Sequence, residues 1–209
     1  MNKFKNSSEA FNFYLKAIRD NGIDFGETKT LFNVGFLIEE PLDTIIKNDE
    51  RNFNVKYALR EWDWYLSGDR SAKDISKFAP IWLNHMDENG NVNSNYGWQW
   101  GRNGQLAKVI EQLRCIKDTR QAVVSIYDGK EINQYKHDTP CTLSLHFQYY
   151  NNALHITVNM RSNDLWFGFC NDQFQFSNLL SMVASELCVN VGTYYHFASN
   201  LHLYKKHLI

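Results

Sequence analysis

The sequence predicts an α+β domain, because helical and strand-like stretches follow one another without regular alternation. Residues 8–19 place apolar side chains at spacings of three and four, which is typical of an amphipathic helix. Residues 141–150 and 153–160 are long strand candidates joined by Asn151-Asn152, a pair suited to a tight hairpin turn. Since no repeat, linker or low-complexity tract interrupts the chain, we expect residues 1–209 to form one domain.

The first predicted elements are two helices separated by a strand. Ser7 or Ser8 can cap the helix at 8–19. Residues 30–38 (TLFNVGFLI) are rich in Phe, Val, Leu and Ile and end at a charged EEP sequence, which predicts a buried strand. Residues 56–66 predict a second helix with few fully solvated positions, because aromatic and leucine side chains occupy most of its surface.

The remaining elements alternate less regularly. Residues 86–95 (MDENGNVNSN) predict a loop, since Asn-Gly adopts left-handed dihedral angles easily. Residues 106–115 show helical spacing, and 121–127 (QAVVSIY) predict a strand. After the hairpin, we expect a long buried helix at 173–189 and a closing strand at 193–204.

Charge and hydropathy exclude several classes of partner. The 22 Lys and Arg residues nearly balance 23 Asp and Glu residues, so no global field favours nucleic acid or an anionic membrane. No run approaches the roughly 18 to 20 apolar residues of a membrane span, and the N-terminus lacks a signal core. We therefore expect a cytoplasmic protein without a nucleic-acid or membrane partner. Four widely spaced cysteines without a CxxC pair fit free thiols in a reducing compartment.

Metal and phosphate-loop motifs are absent from the sequence. The seven histidines show neither an HExxH motif nor a Cys/His ligand spacing, so we expect no metal site. The GRNG sequence from Gly101 to Gly104 lacks the following Lys-Ser or Lys-Thr of a phosphate-binding loop. Most aromatic residues stand at core spacing, which favours packing over base stacking.

Two places in the sequence suggest chemistry. Cys141 follows Pro140 at the head of a strand, where a thiol can face a pocket, although a buried cysteine is more often an inert packing residue. Arg161, Ser162 and Asp164 leave a strand together. Because a guanidinium binds phosphate through a planar fork, this cluster is a candidate anion site; the alternative is a solvated turn.

Six segments of the sequence stand in a distinctive order: 60–69 (REWDWYLSGD), 93–100 (NSNYGWQW), 118–125 (DTRQAVVS), 139–142 (TPCT), 158–173 (VNMRSNDLWFGFCNDQ) and 201–204 (LHLY). In order and spacing they resemble the thymidylate synthase superfamily, from about Leu31 to the C-terminus. The NSNYGW and NMRSND-xx-FGF-x-ND stretches are most similar to the phage-type deoxycytidylate hydroxymethylases.

The resemblance implies a fold and a reaction. The fold would be a mixed sheet packed with helices, one sheet face forming a homodimer interface. Cys141 falls on the nucleophile, whose thiolate adds to C6 of a pyrimidine and activates C5. C5 would then take the methylene group of 5,10-methylenetetrahydrofolate, the co-substrate, and water would complete the hydroxymethyl group. Glu61 falls on the family's proton-relaying glutamate, and Tyr96 on a tyrosine of the water network.

Base selection is implied at Asp172, where thymidylate synthases have Asn. A carboxylate accepts from the N4 amino group of cytosine and from a protonated N3, but it has no donor for O4 of uracil, which favours dCMP. Two alternatives stay open at this point. A protonated Asp172 would donate to O4 and allow dUMP as the substrate. Asp172 can also be the cap of the helix expected near Gln173.

The remaining implied ligands hold the rest of a pyrimidine nucleoside monophosphate and the folate. They are Arg161 and Ser162 for phosphate, Arg120 for phosphate from the partner subunit of a homodimer, His202 and Tyr204 for the sugar hydroxyl, and Trp82 and Asp164 for the pterin.

The sequence also departs from the family pattern. Gln121 replaces a second arginine, and Phe25 stands where the family has an N-terminal phosphate-binding cation, with Lys29 as a substitute. These departures motivate a third alternative, a catalytically inactive homologue that binds nucleotide. Cys170, which replaces the family proline, is expected to be a packing residue.

Overall fold

The computed structural model describes residues 1–208, which form a mixed β-sheet packed with helices. The strands are β1 (Asn2–Phe4), β2 (Ile23–Phe25), β3 (Thr28–Ile38), β4 (Val123–Ser125), β5 (Thr142–Tyr150), β6 (Ala153–Met160), β7 (Asn163–Asp164) and β8 (Asn190–Tyr204). The α-helices are α1 (Ser7–Asn21), α2 (Val55–Ser67), α3 (Tyr96–Gly101), α4 (Gln105–Cys115) and α5 (Cys170–Glu186). A π-helical turn, Leu165–Phe169, leads directly into α5.

The sheet has the strand order β1-β3-β8-β6-β5-β4, with β2 added to β3 and β7 added to β8. Strands β3 and β8 are antiparallel, β8 and β6 are parallel, and β6 and β5 form an antiparallel hairpin. Parallel and antiparallel pairing therefore coexist in one sheet, which confirms the α+β class.

The two faces of the sheet differ in burial, because successive side chains of a strand point to opposite faces. Helix α5 packs on β6 and β8, and α1 packs on β3. The covered face of β6 consists of side chains that are at most 1% exposed: Leu154, Ile156, Val158 and Met160. The intervening residues His155, Thr157 and Asn159 are half-buried. One face of the sheet thus carries the core, and the other remains partly open.

The hairpin and the three expected helices at 8–19, 56–66 and 106–115 are confirmed, with small shifts at their ends. Asn151 and Asn152 have φ angles of 49° and 58°, as a type I′ turn requires. No helix among residues 1–208 is long and apolar enough to span a membrane.

The boundaries of three expected elements were wrong. The strand expected at 121–127 is paired only at Val123–Ser125. The last helix begins at Cys170 instead of Gln173 and ends at Glu186 instead of Val189, because it continues from the π-helical turn that precedes it. The closing strand begins at Asn190, three residues before the expected Thr193.

Candidate active site

Cys141 lies immediately before β5, on a segment that Arg161 holds in place. The Arg161 guanidinium donates to the carbonyl oxygens of Thr139, at 2.8 Å, and Pro140, at 3.0 Å. The same guanidinium lies 3.7 Å from Cys141 Sγ. Burial raises the pKa of the Cys141 thiol to about 11, while the charge of Arg161 acts in the opposite direction. Arg161 is therefore placed both to shape the cysteine loop and to stabilise a thiolate.

Asp172 lies in the first turn of α5, and its carboxyl faces the site. Its Oδ2 accepts a hydrogen bond of 2.7 Å from Asn163 Nδ2. Burial raises the pKa of Asp172 well above its usual range, and the nearby Glu61 raises it further. The interpretation of Asp172 as a helix cap is wrong: α5 begins two residues earlier, and no side chain caps it.

Glu61 is 4% exposed on α2 and belongs to a chain of hydrogen bonds. Trp82 Nε1 donates to the Tyr57 hydroxyl at 2.9 Å, and that hydroxyl donates to Glu61 Oε1 at 2.6 Å. Gln175 Nε2 donates to the other carboxyl oxygen at 2.9 Å. Burial raises the pKa of Glu61 to about 7, and these donors oppose the rise. A carboxyl with that pKa can both accept and release a proton at neutral pH.

Sequence reasoning missed Tyr57 and Gln175. Tyr57 carries a usable signal, because it stands four residues before Glu61 and so shares its helix face. Gln175 carries none, since its contact with Glu61 joins residues 114 positions apart.

Tyr96 is the first residue of α3 and is 4% exposed. Its ring packs between Tyr65, at a centroid distance of 5.6 Å, and Phe176, at 5.2 Å. Burial raises the pKa of the Tyr96 hydroxyl, with further contributions from Asp172 and Cys141. Cys141, Asp172, Glu61 and Tyr96 therefore surround one region, although their catalytic roles stay predictions.

The predicted sugar ligands His202 and Tyr204 lie with one predicted pterin ligand, Asp164, at the β7/β8 pair. Asp164 lies opposite His202 in the strand register, and the His202 ring contacts the Tyr204 ring edge-on at 5.4 Å. His202 Nδ1 also bonds to Asn200 Oδ1 at 2.8 Å, which orients the imidazole. The Asp164 carboxyl accepts from the backbone N–H groups of Trp166 and Phe167, so it caps the π-helical turn.

The predicted phosphate ligands fall into two groups. Arg161 and Ser162 are adjacent at the end of β6, with Arg161 exposed beside the cysteine. Arg120 is exposed before β4. Among residues 1–208, no hydrogen bond or ion pair joins the Arg120 side chain to the candidate active site.

The residues that depart from the family pattern lie at or near the protein surface. The Gln121 side chain accepts from Gln112 of α4 at 3.0 Å and brings no positive charge. The Lys29 ammonium donates to the carbonyl of Arg19 in the last turn of α1, at 3.1 Å. Lys29 therefore contacts the last turn of α1, and its role as a substitute phosphate ligand stays a prediction. Phe25 is 58% exposed and packs edge-on against Phe32.

The chain is similar to several known proteins. The thymidylate synthase family model matches residues 26–209. The deoxyuridylate hydroxymethyltransferase of Bacillus phage SP01 is 34% identical over 170 residues, which are 74% of this chain and 44% of that protein. The corresponding protein of Pseudomonas phage M6 is 29% identical over 185 residues, 82% of this chain and 53% of its own length. This chain thus spans about half the length of these two relatives.

A third relative is matched over most of its length. The deoxycytidylate 5-hydroxymethyltransferase of Enterobacteria phage T4 is 30% identical over 208 residues, which cover 90% of this chain and 81% of that protein. The relatives therefore carry names that differ in the pyrimidine base.

Proposed function

The chain belongs to the thymidylate synthase family, and from that premise we propose that it transfers a hydroxymethyl group to C5 of dCMP. The one-carbon unit comes from 5,10-methylenetetrahydrofolate, and water supplies the hydroxyl oxygen. The observation that carries this proposal is the convergence of the Cys141 thiol with two carboxyl groups, the buried Glu61 and the half-buried Asp172, whose charges act on one another.

Covalent catalysis begins at Cys141. The thiolate forms a bond to C6 of the pyrimidine, and the displaced electron pair makes C5 nucleophilic. C5 then bonds to the folate methylene carbon. Loss of the C5 proton and departure of tetrahydrofolate leave an exocyclic methylene group on the base. Water adds to that methylene group, and the electron pair of the breaking S–C6 bond returns to sulfur.

The protein's own groups supply the proton transfers. The positive charge of Arg161 already lowers the pKa of the Cys141 thiol, which burial nevertheless raises to about 11, so thiolate formation also requires a proton acceptor. Glu61, with its pKa near 7, is suited to exchange protons with water on the C5 side. Tyr57 and Gln175 hold the two oxygens of Glu61 and so fix its direction.

Trp82 and Asp164 are the proposed folate ligands. Trp82 lies in an aromatic cluster, 5.1 Å from Trp64 between ring centroids, and its N–H is bound to Tyr57. A pterin ring stacked there would be next to the hydrogen bonds that hold Glu61. Asp164 supplies carboxylate oxygens near His202, which we assign to the sugar together with Tyr204.

Asp172 is the proposed base selector. In its ionised form it accepts from the N4 amino group of cytosine, whereas O4 of uracil would face a carboxylate without a donor. An unsatisfied buried polar group costs roughly 1 to 3 kcal/mol, which is enough to discriminate between the bases.

A second candidate function is hydroxymethylation or methylation of dUMP. Two observations favour it: the relatives from phages SP01 and M6 are named for deoxyuridylate, and burial raises the pKa of Asp172. A neutral Asp172 can donate to O4 of uracil.

A third candidate is an inactive homologue that binds nucleotide. It draws support from Phe25 and Gln121, which bring no charge to the phosphate.

The test compares dCMP and dUMP as substrates of the parent chain and of Asp172→Asn. We expect tritium release from [5-³H]dCMP in the presence of the folate, a hydroxymethyl product by mass spectrometry, and a shift toward dUMP in Asp172→Asn. Asp63→Asn, an exposed aspartate on α2, is the matched control and should keep the parental preference. Equal or better use of dUMP by the parent would reject the cytosine assignment, and no tritium release from either nucleotide would favour the inactive homologue.

We also propose that the functional unit is a homodimer. The half-buried sheet face, which includes Thr157 and Asn159 of β6 and Tyr195 and Phe197 of β8, is the surface we assign to a second copy. A two-fold interface there would let Arg120, which is exposed, reach the phosphate of the partner.

A further inference from the structure

We propose that Asn163 is the positioning residue for base selection, because its side-chain amide holds the Asp172 carboxyl as a hydrogen-bond acceptor for cytosine. This inference rests on the proposed function and deepens it.

The geometry joins two separate elements. Asn163 is the first residue of β7, is 2% exposed, and pairs with Leu201 of β8. Its Nδ2 donates to Asp172 Oδ2, on α5, at 2.7 Å. Since β7 is fixed by β8 and Asp172 is fixed by its helix, the hydrogen bond locks the orientation of the carboxyl from outside α5.

Gly168, in the π-helical turn, leaves the space in which the pair lies. A Cβ added at Gly168 would be 3.0 Å from Asn163 Nδ2 and 3.5 Å from Asp172 Oδ2. The first distance is tighter than ordinary van der Waals contact, so a side chain there would press on the donor atom. The turn backbone therefore packs directly against the amide–carboxyl pair.

The other end of the Asn163 amide argues against a mere packing role. Its Oδ1 is buried and has no hydrogen-bond partner among residues 1–208. A buried acceptor without a partner is destabilising, and an apolar side chain would avoid that penalty. The amide is thus explained by what its donor does for Asp172.

The donor controls where a proton can reside on Asp172. Because Oδ2 accepts from Asn163, only Oδ1 can carry a proton, and the bond favours the ionised carboxyl. Burial and the charges of Glu61 and Asp164 act in the opposite direction. The other titratable groups whose electrostatics involve Asp172 are Tyr57 and Tyr65 of α2, Tyr96 of α3, Cys141 before β5, Cys170 of α5 and Tyr194 of β8.

The ionisation state of Asp172 thus determines whether cytosine or uracil is favoured. An ionised Asp172 accepts from the cytosine amino group, whereas a neutral one can donate to O4 of uracil. Removal of the Asn163 donor should therefore favour the neutral carboxyl and admit uracil.

The experiment measures kcat/KM for dCMP and for dUMP across a pH series in Asn163→Ala and in the isosteric Asn163→Asp. We expect the dCMP-to-dUMP ratio to fall about tenfold in Asn163→Ala, equivalent to about 1.4 kcal/mol, and further in Asn163→Asp. The acidic limb of the dCMP profile should move to higher pH in both variants, a result that a purely structural role would not give. Asn171→Ala is the matched control, because its amide bonds to the Phe167 carbonyl instead.

Folded variants with the parental ratio and pH profile would overturn the inference. If both Asn163 variants fail to fold, Gly168→Ala replaces them: its Cβ presses on Nδ2, and an unchanged ratio would again overturn the inference. A failure of the proposed function is seen separately, because a parent that prefers dUMP, or uses neither nucleotide, already contradicts it without any variant.

Discussion

At the scale of single residues, the site contains two carboxyl groups, the buried Glu61 and the half-buried Asp172, and gives them different partners. Glu61 is held by a phenol and an amide, while Asp172 is held by one amide and repelled by Glu61. Different partners separate the tasks of two like groups, one for proton exchange and one for base recognition. Burial raises the pKa of both carboxyl groups, and the different hydrogen-bond donors around each one oppose that rise.

Tyr57→Phe tests the control of Glu61. The Tyr57 hydroxyl stabilises the ionised carboxyl, so its loss should raise the pKa of Glu61 above its value of about 7. The limb of the pH profile of kcat that titrates near neutrality should then move to higher pH. The profile is measured with saturating nucleotide and folate. Tyr150→Phe, at the exposed end of the hairpin, is the matched control. A parental profile in Tyr57→Phe would show that Glu61 does not govern this limb.

At the scale of elements, the sequence predicts what local periodicity determines. The helices around Phe11 and Leu113 follow from apolar spacing, and the hairpin follows from Asn151-Asn152. The three-residue strands β1 and β2 were missed, because pairing with β3 and not their own pattern makes them strands.

The candidate site also contains both features that local sequence motifs indicate and features that depend on tertiary packing. Cys141 and Asp172 could be proposed as site residues from linear motifs, since each lies in a recognisable segment. The bond from Asn163 to Asp172 could not, because it depends on how a two-residue strand meets a helix that begins after a π-helical turn. Tertiary packing determines which side chains bond to one another in the core, and this leaves no pattern in the local sequence.

The hairpin turn offers a test at this scale. Asn151 has a φ angle of 49°, which a β-branched residue adopts only with strain. Asn151→Val should lower the free energy of unfolding by about 1 to 2 kcal/mol, measured by chemical denaturation. Asn151→Gly is the matched control, because glycine adopts positive φ without steric cost. Equal stability of the two variants would contradict the type I′ assignment.

At the scale of the whole molecule, the two faces of the sheet have different surroundings. Its helix-covered face carries core side chains such as Phe36 and Leu154. The loops at the strand ends carry Cys141 and Arg161. The opposite face is half-buried in one chain, and Arg120 lies exposed near it on the segment before β4. A second copy on this face would explain both features, because it would cover the sheet and bring a cation to the neighbouring site.

Mixing two inactive variants tests this arrangement. Cys141→Ser removes the nucleophile, and Arg120→Ala removes the cation that we assign to the partner's site. A mixed dimer has one site with both defects and one with none, so random exchange of subunits in equal mixture should restore about a quarter of parental activity. Activity is measured after reversible unfolding of the mixture, with each variant refolded alone as the control. If both groups serve a site within one chain, no mixed dimer has an intact site, and the mixture stays as inactive as its components.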